Sequence, residues 1–143
     1  MPRTRVETRA RARVLQALYA WDLRGAGHGN ESLERVAHRI WDDLAVPADE
    51  RQFAKPLVDD LSRRGSVLDA ELADVTTNWR LERLGVVERS VLRLAAVELD
   101  RGETPPRVVI QEAVHLAERY GSARSAKFVN GVVDALARRM GRM

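Results

Sequence analysis

Apolar residues recur along most of this chain at three- and four-residue intervals, the spacing of helices that bury one face. From Arg3 to Arg24, RTRVETRARARVLQALYAWDLR, the residues Val14, Leu15, Leu18 and Trp21 share one apolar arc. Thr4 or Thr8 can cap this helix, which ends at Arg24 before Gly25. GAGHGN, residues 25–30, has three glycines in six positions and is the clearest loop. A second helix, Leu33 to Leu44, repeats Leu33, Val36, Ala37, Ile40 and Leu44 behind Ser32 as cap, and Pro47 ends the linker after it. The third element starts near Asp49 and aligns Phe53, Leu57, Val58 and Leu61. Pro56 removes an amide donor there and crowds residue 52, which predicts a kink or a break. Gly65 with Ser66 is a second punctuation point before Val67, Leu68, Leu72 and Val75 resume the pattern, so one bent helix and two helices both fit.

Thr76 to Glu103 opens with a turn around Asn78 and Trp79 and then becomes apolar nearly all round. Leu84, Val87, Val91, Leu94, Ala95 and Leu99 line one side and Leu92, Ala96 and Val97 widen it, the mark of a central helix. Arg89 and Arg93 outline its narrow solvated strip. Thr104 then caps a helix with Pro105 as first residue, Val109, Ile110, Ala113, Leu116, Ala117 and Tyr120 inward, and Gly121 as stop. The last helix follows Ser122 or Ser125, with Phe128, Val132, Ala135 and Leu136 on one face and Gly131 permitting close approach of another backbone. No segment alternates as a strand would. The pattern predicts an all-α domain of six or seven helices spanning residues 1–143.

Charge adds a second layer. Arg5, Arg9 and Arg13 stand at i, i+4 and i+8 on the face opposite the first apolar arc, with Gln16 beside them and Tyr19 at the margin. Like charges at that spacing repel, so the row is either screened by solvent or neutralised by a polyanion. Arg11 instead projects into the apolar arc, and Glu98 occupies the arc of the central helix. A buried charge needs a partner, which makes Arg11 with Glu98 the expected internal pair, with Asp22 the other acid available to Arg11. The net charge of +3 conceals positive ends. Six arginines oppose Glu7 and Asp22 in residues 1–24, and Arg138, Arg139 and Arg142 close the chain. Positive ends on an acidic body predict two partners of opposite character, a polyanion at the arginines and a basic surface at the acids.

Candidate chemistry is sparse. With 143 residues and no cysteine, the chain fits one domain without disulfides, thiol nucleophiles or thiolate metal sites. No apolar run approaches the roughly 18 residues of a membrane span, and no secretory signal opens the chain, so a soluble cytoplasmic protein is expected. His28, His38 and His115 lie on separate elements without the i, i+4 pairing of a zinc helix, and no metal or cofactor is expected. No nucleophile elbow, phosphate loop or dinucleotide fingerprint is present, and adjacent acids such as Asp42–Asp43 and Asp59–Asp60 point apart on a helix. An enzyme is not expected.

Four blocks carry a more specific signal: RARARVLQALYAWDL (Arg9 to Leu23), NWRLERLGVVERSVLRLAAVEL (Asn78 to Leu99), VVIQEAVHLAERYG (Val108 to Gly121) and KFVNGVVDALA (Lys127 to Ala137). In that order they resemble the NusB family of transcription antitermination factors. Residues 25–75 match only in length and helical character, and Pro56 falls where the family usually continues a helix. The resemblance implies an all-helical fold of two small bundles. It also implies binding to the boxA element of single-stranded nascent RNA together with the ribosomal protein NusE, so that the transcription elongation complex passes terminators, notably in ribosomal RNA operons. Carried over residue by residue, RNA contact falls on Arg3, Arg5, Arg9 and Arg13 with Gln16 and Tyr19, joined by Lys127 and Phe128. Phe128 equally begins the apolar stripe of the last helix, and both assignments stay open. Partner binding falls on Glu82 and Glu88, acids suited to a basic ribosomal protein.

Two other classes bound this reading. The domain also resembles the N-terminal module of some RNA methyltransferases, but a stand-alone methyltransferase needs an α/β cofactor domain that 143 residues do not hold. A protein-only helical scaffold, its arginines serving solubility, is the alternative that RNA-binding measurements separate from the first.

Overall fold

Six α-helices and one 3-10 turn form among the described residues, with no strand, as the periodicity predicts. The computed structural model describes residues 5–24, 31–76 and 81–143, with the backbone alone at Glu82. The expected cap Thr4, Arg3, the glycine loop with His28, and the turn at Asn78 and Trp79 lie outside the described residues. The helices are α1 (Arg5–Leu23), α2 (Leu33–Asp43), α3 (Ala48–Val75), α4 (Val86–Arg101), α5 (Pro106–Tyr120) and α6 (Ala123–Arg139), with the 3-10 turn at Leu81–Arg83. The chain divides into two compact units, residues 1–63 and residues 64–143.

In the first unit, α1 packs on α2. Of the predicted arc of α1, Val14, Leu15 and Leu18 are buried and Trp21 is half-buried, Ala10 and Ala17 are buried beside them, and α2 buries Leu33, Val36, Ala37 and Trp41. Trp41 combines the largest apolar side chain of this core with a polar contact, its Nε1 donating to the Arg13 carbonyl at 3.3 Å. Losing such a side chain costs about 3–5 kcal/mol. Ser32 caps α2 as expected, accepting from the Arg35 amide at 3.2 Å. Leu44 comes out exposed, because the helix has ended before it. The turn into α3 is held by Arg51, which donates to the Val46 and Trp41 carbonyls at 2.9 and 2.6 Å and to Asp42 at 2.6 Å.

α3 runs unbroken through Pro56 and Gly65, which decides between one helix and two. Proline strips the Gln52 carbonyl of its partner. Gln52 is exposed, where water replaces that partner, while Ala54, Leu57, Val58 and Leu61 on either side of Pro56 are buried and their packing offsets the lost bond. Gly65 faces open space, so it ends nothing.

In the second unit, α4 packs against both α5 and α6, and α5 against α6. Nearly every residue of α4 from Ser90 to Leu99 is buried, as expected of a central helix. Its arginines are not a solvated strip. Arg93 is only 11% exposed and forms a two-pronged pair with Asp69 of α3, Nε to Oδ1 at 3.1 Å and Nη2 to Oδ2 at 3.2 Å. Arg89 donates to the Leu84 carbonyl at 2.7 Å and so closes the turn that precedes α4. α4 ends at Gly102 in the left-handed region, φ +71°, where any other residue would be strained. A side chain there would also collide with the Arg142 guanidinium, which donates to the Asp100 carbonyl at 2.9 Å.

Three further expectations fail locally. Thr104 does not cap α5; its hydroxyl donates to Glu98 at 3.4 Å, and the helix starts one residue later than predicted, at Pro106. Tyr120 is exposed rather than inward, because α5 ends there. Gly131 is exposed, and a Cβ on it would touch nothing, so it serves no close approach.

Candidate nucleic-acid interface

The apolar arc of α1 sets where its arginines go. With Ala10, Val14 and Leu18 buried, Arg5, Arg9 and Arg13 emerge on the other side, and eight residues of helix separate the first from the last by about 12 Å. Arg5 is exposed, the Arg9 side chain is 57% exposed and that of Arg13 26%. Tyr19 is exposed, and Gln16 is half-buried, accepting from Arg13 Nη1 at 3.4 Å.

Neither solvent nor a polyanion alone relieves the repulsion in this row. Glu50, in the first turn of α3 and 4% exposed, meets Arg13 Nε through Oε1 at 3.1 Å and Arg9 Nε through Oε2 at 3.4 Å. One buried carboxylate thus holds two guanidiniums of the row. Nothing local marks Glu50 in the sequence as a partner of this row; only its position in the first turn of a helix, a common site for acids, sets it apart.

Arg11 is buried, as its place in the apolar arc requires, with its guanidinium carbon 4.9 Å from the centre of the Phe53 ring. Stacking on an aromatic face supplies part of the environment a buried cation needs. Glu98 is buried as well and accepts the Thr104 hydroxyl.

The second unit carries the remaining candidates. Lys127 is exposed on α6, whose N-terminus is capped by Ser122 accepting from the Ser125 amide at 3.1 Å. Phe128 is half-buried and lies at the margin of the stripe formed by Ala126, Val129, Val132, Val133 and Leu136. Glu88 is half-buried, and its Oε1 accepts from Ser125 Oγ at 2.6 Å. As the third residue of α4 it also folds back over Gly85, so that a Cβ on Gly85 would collide with its carboxylate, the placement of a capping-box glutamate. The side chain of Glu82 lies outside the described residues.

The basic C-terminal end is tied down within its unit. Arg138 pairs with Asp134 at 3.0 Å, and Arg139 with Glu71 at 3.0 Å and Asp74 at 2.6 Å. Among the described residues no three histidine, aspartate or glutamate side chains gather to hold a metal ion, and no helix is long and apolar enough to cross a membrane.

A sequence model of the NusB family matches residues 8–138. The transcription antitermination protein NusB of Anaeromyxobacter dehalogenans is 41% identical over 131 residues, covering 91% of this chain and 89% of that protein. Among solved structures, T. maritima NusB superposes with a TM-score of 0.83 at 33% identity, over 96% of this chain and 93% of that one. A crystal structure of antitermination factors NusB and NusE in complex with dsRNA gives 0.84 at 30% identity, over 96% and 99%. The all-helical fold and the match over nearly the whole length agree: this chain belongs to the NusB family.

Proposed function

We propose that this chain is a transcription antitermination factor that binds boxA-type single-stranded RNA together with the ribosomal protein NusE. It acts on the transcription elongation complex in the cytoplasm and promotes passage through terminators, notably in ribosomal RNA operons. The observation that carries this reading is the polar face of α1, where Arg5, Arg9 and Tyr19 stand exposed opposite the buried Val14, Leu15 and Leu18. Cations and an aromatic ring spaced along one helix face suit a single strand, whose phosphates take the charge and whose bases stack. Lys127 and the half-buried Phe128 offer the same pair of chemistries on α6. The NusB relatives support the antitermination role, and the NusB–NusE structure with dsRNA supports RNA and NusE as partners. NusE is assigned to the acids of the α4 entry, Glu82 and Glu88, Glu88 contributing charge while its carboxylate also holds Ser125.

Titration of labelled boxA RNA, with and without NusE and against a duplex competitor, tests this. Single-strand binding that NusE strengthens is expected. RNA affinity no better than that for an unrelated oligonucleotide, with NusE still bound, returns the chain to a protein-only scaffold. For the NusE side, Glu88→Arg also breaks the hydrogen bond between α4 and α6, so its melting temperature is read beside its NusE affinity, with Glu82→Arg as the companion substitution.

A further inference from the structure

Glu50 has no place in the function stated so far, yet its carboxylate holds two of the arginines on which that function rests. It is 4% exposed, comes from α3 rather than α1, and divides its oxygens between Arg9 and Arg13. Both contacts use Nε. A guanidinium has five N–H donors in a rigid fork, so engagement through Nε leaves the outer edge able to donate elsewhere. Arg13 already turns one such donor to Gln16 at 3.4 Å, and Arg9 keeps more than half of its side chain in solvent.

An incoming phosphate could in principle take the arginines from Glu50. That exchange would leave a buried carboxylate without a partner, which costs more than one solvent-facing ion pair returns. The arginines therefore stay on Glu50 and meet the phosphate with their outer edges. We propose that Glu50 is a positioning residue of the RNA face, orienting Arg9 and Arg13 before RNA arrives. The inference rests on the assignment of α1 as that face. The carboxylate lowers the charge of the row and so weakens long-range attraction, but it removes the ordering that two long side chains would otherwise undergo on binding.

Glu50→Gln separates the two effects because they have opposite signs. It makes the site more positive, so electrostatics alone predicts tighter RNA binding. Positioning predicts affinity about tenfold weaker at every salt concentration, the order expected when two arginines must be ordered on binding. Anisotropy titrations of labelled boxA RNA on the full chain read this, with melting temperature and NusE affinity as measures of an intact fold. Glu50→Asp keeps the charge but shortens the reach to two guanidiniums, and it should weaken RNA binding likewise while NusE affinity holds. Unchanged or tighter binding by folded Glu50→Gln overturns the proposal. If that variant does not fold, wild-type affinity of Glu50→Asp overturns it. Arg9→Gln distinguishes the premise: weakened RNA binding there, with Glu50 variants at wild-type affinity, refutes positioning alone, whereas wild-type binding by Arg9→Gln removes α1 as the RNA face and this inference with it.

Discussion

Arg5, Arg9 and Arg13 on α1 carry the same charge as Arg138, Arg139 and Arg142 at the other end of the chain, and both groups are exposed or half-buried. The partners differ. At the C-terminal end each arginine has an acid or a carbonyl of its own, with Asp134 for Arg138, Glu71 and Asp74 for Arg139, and the Asp100 carbonyl for Arg142. On α1 two arginines share one buried acid, so the pair retains a net positive charge and outward-facing donors. A count of positive residues therefore says little about affinity for a polyanion. What decides it is how many acids the fold supplies to each guanidinium, and from which side.

Reversing both α1 positions breaks this contrast most sharply. Arg9→Glu with Arg13→Glu should weaken RNA binding by about a hundredfold or more, and should also lower thermal stability because Glu50 is left facing two acids. Charge-neutral Arg9→Gln is the gentler control. In the unaltered protein the contrast appears in the salt dependence. With Glu50 cancelling part of the row, log K against log salt should fall with a slope of about −2, shallower than the roughly −3 of four free arginines on a single strand.

Arg93→Ala is next in size and acts on stability alone. It strands Asp69 in a site with 11% exposure on the arginine side and should cost about 2 kcal/mol, a fall of roughly 6 °C in Tm, with RNA affinity unaltered. Arg139→Ala removes a half-exposed ion-pair network and should cost no more than about 1 kcal/mol. Its RNA affinity should remain within about twofold of wild type, since its charge is already matched by two acids. A large loss of RNA binding in Arg139→Ala would erase the distinction between the two ends.

The smallest effect concerns a third arginine arrangement, Arg24 and Arg39 around Glu31. Hydrogen bonding from Arg39 holds the Glu31 carboxyl below the usual carboxylate range. A pKa lowered by folding stabilises the folded state above the unfolded pKa and loses that contribution as pH falls through the folded one. Glu31→Gln should therefore melt slightly lower than wild type at neutral pH, and the two curves should converge in acid.

Periodicity carried most of the fold. Most of the residues buried within α1, α4 and α5 belong to the predicted stripes, because apolar spacing is a local property that survives whatever the helices pack against. The misreadings are those where a distant partner decides. Arg93 reads as solvated until Asp69, 24 residues earlier, is placed beside it, and Arg9 with Arg13 read as free until Glu50 arrives from 37 residues beyond Arg13. At Pro56 local chemistry leaves one bent helix and two equally open, and the buried residues around it, most of them close in sequence, keep the helix whole. Of the candidate interface, the face of α1 was legible from the arc opposite it, Arg11 was legible as buried, and the double use of Glu88 was not, since Ser125 lies 37 residues away.

The continuity of α3 also governs how the protein can be taken apart. The boundary between the two compact units falls between Arg63 and Arg64, inside a helix that extends from Ala48 to Val75 rather than in a linker. Severing the chain there would leave four carbonyls on one fragment and four amides on the other without helical partners. Fragments divided at this point are poor subjects for separate expression, and a protease offered the folded chain should cut elsewhere, because a helical turn does not present the extended backbone that cleavage requires.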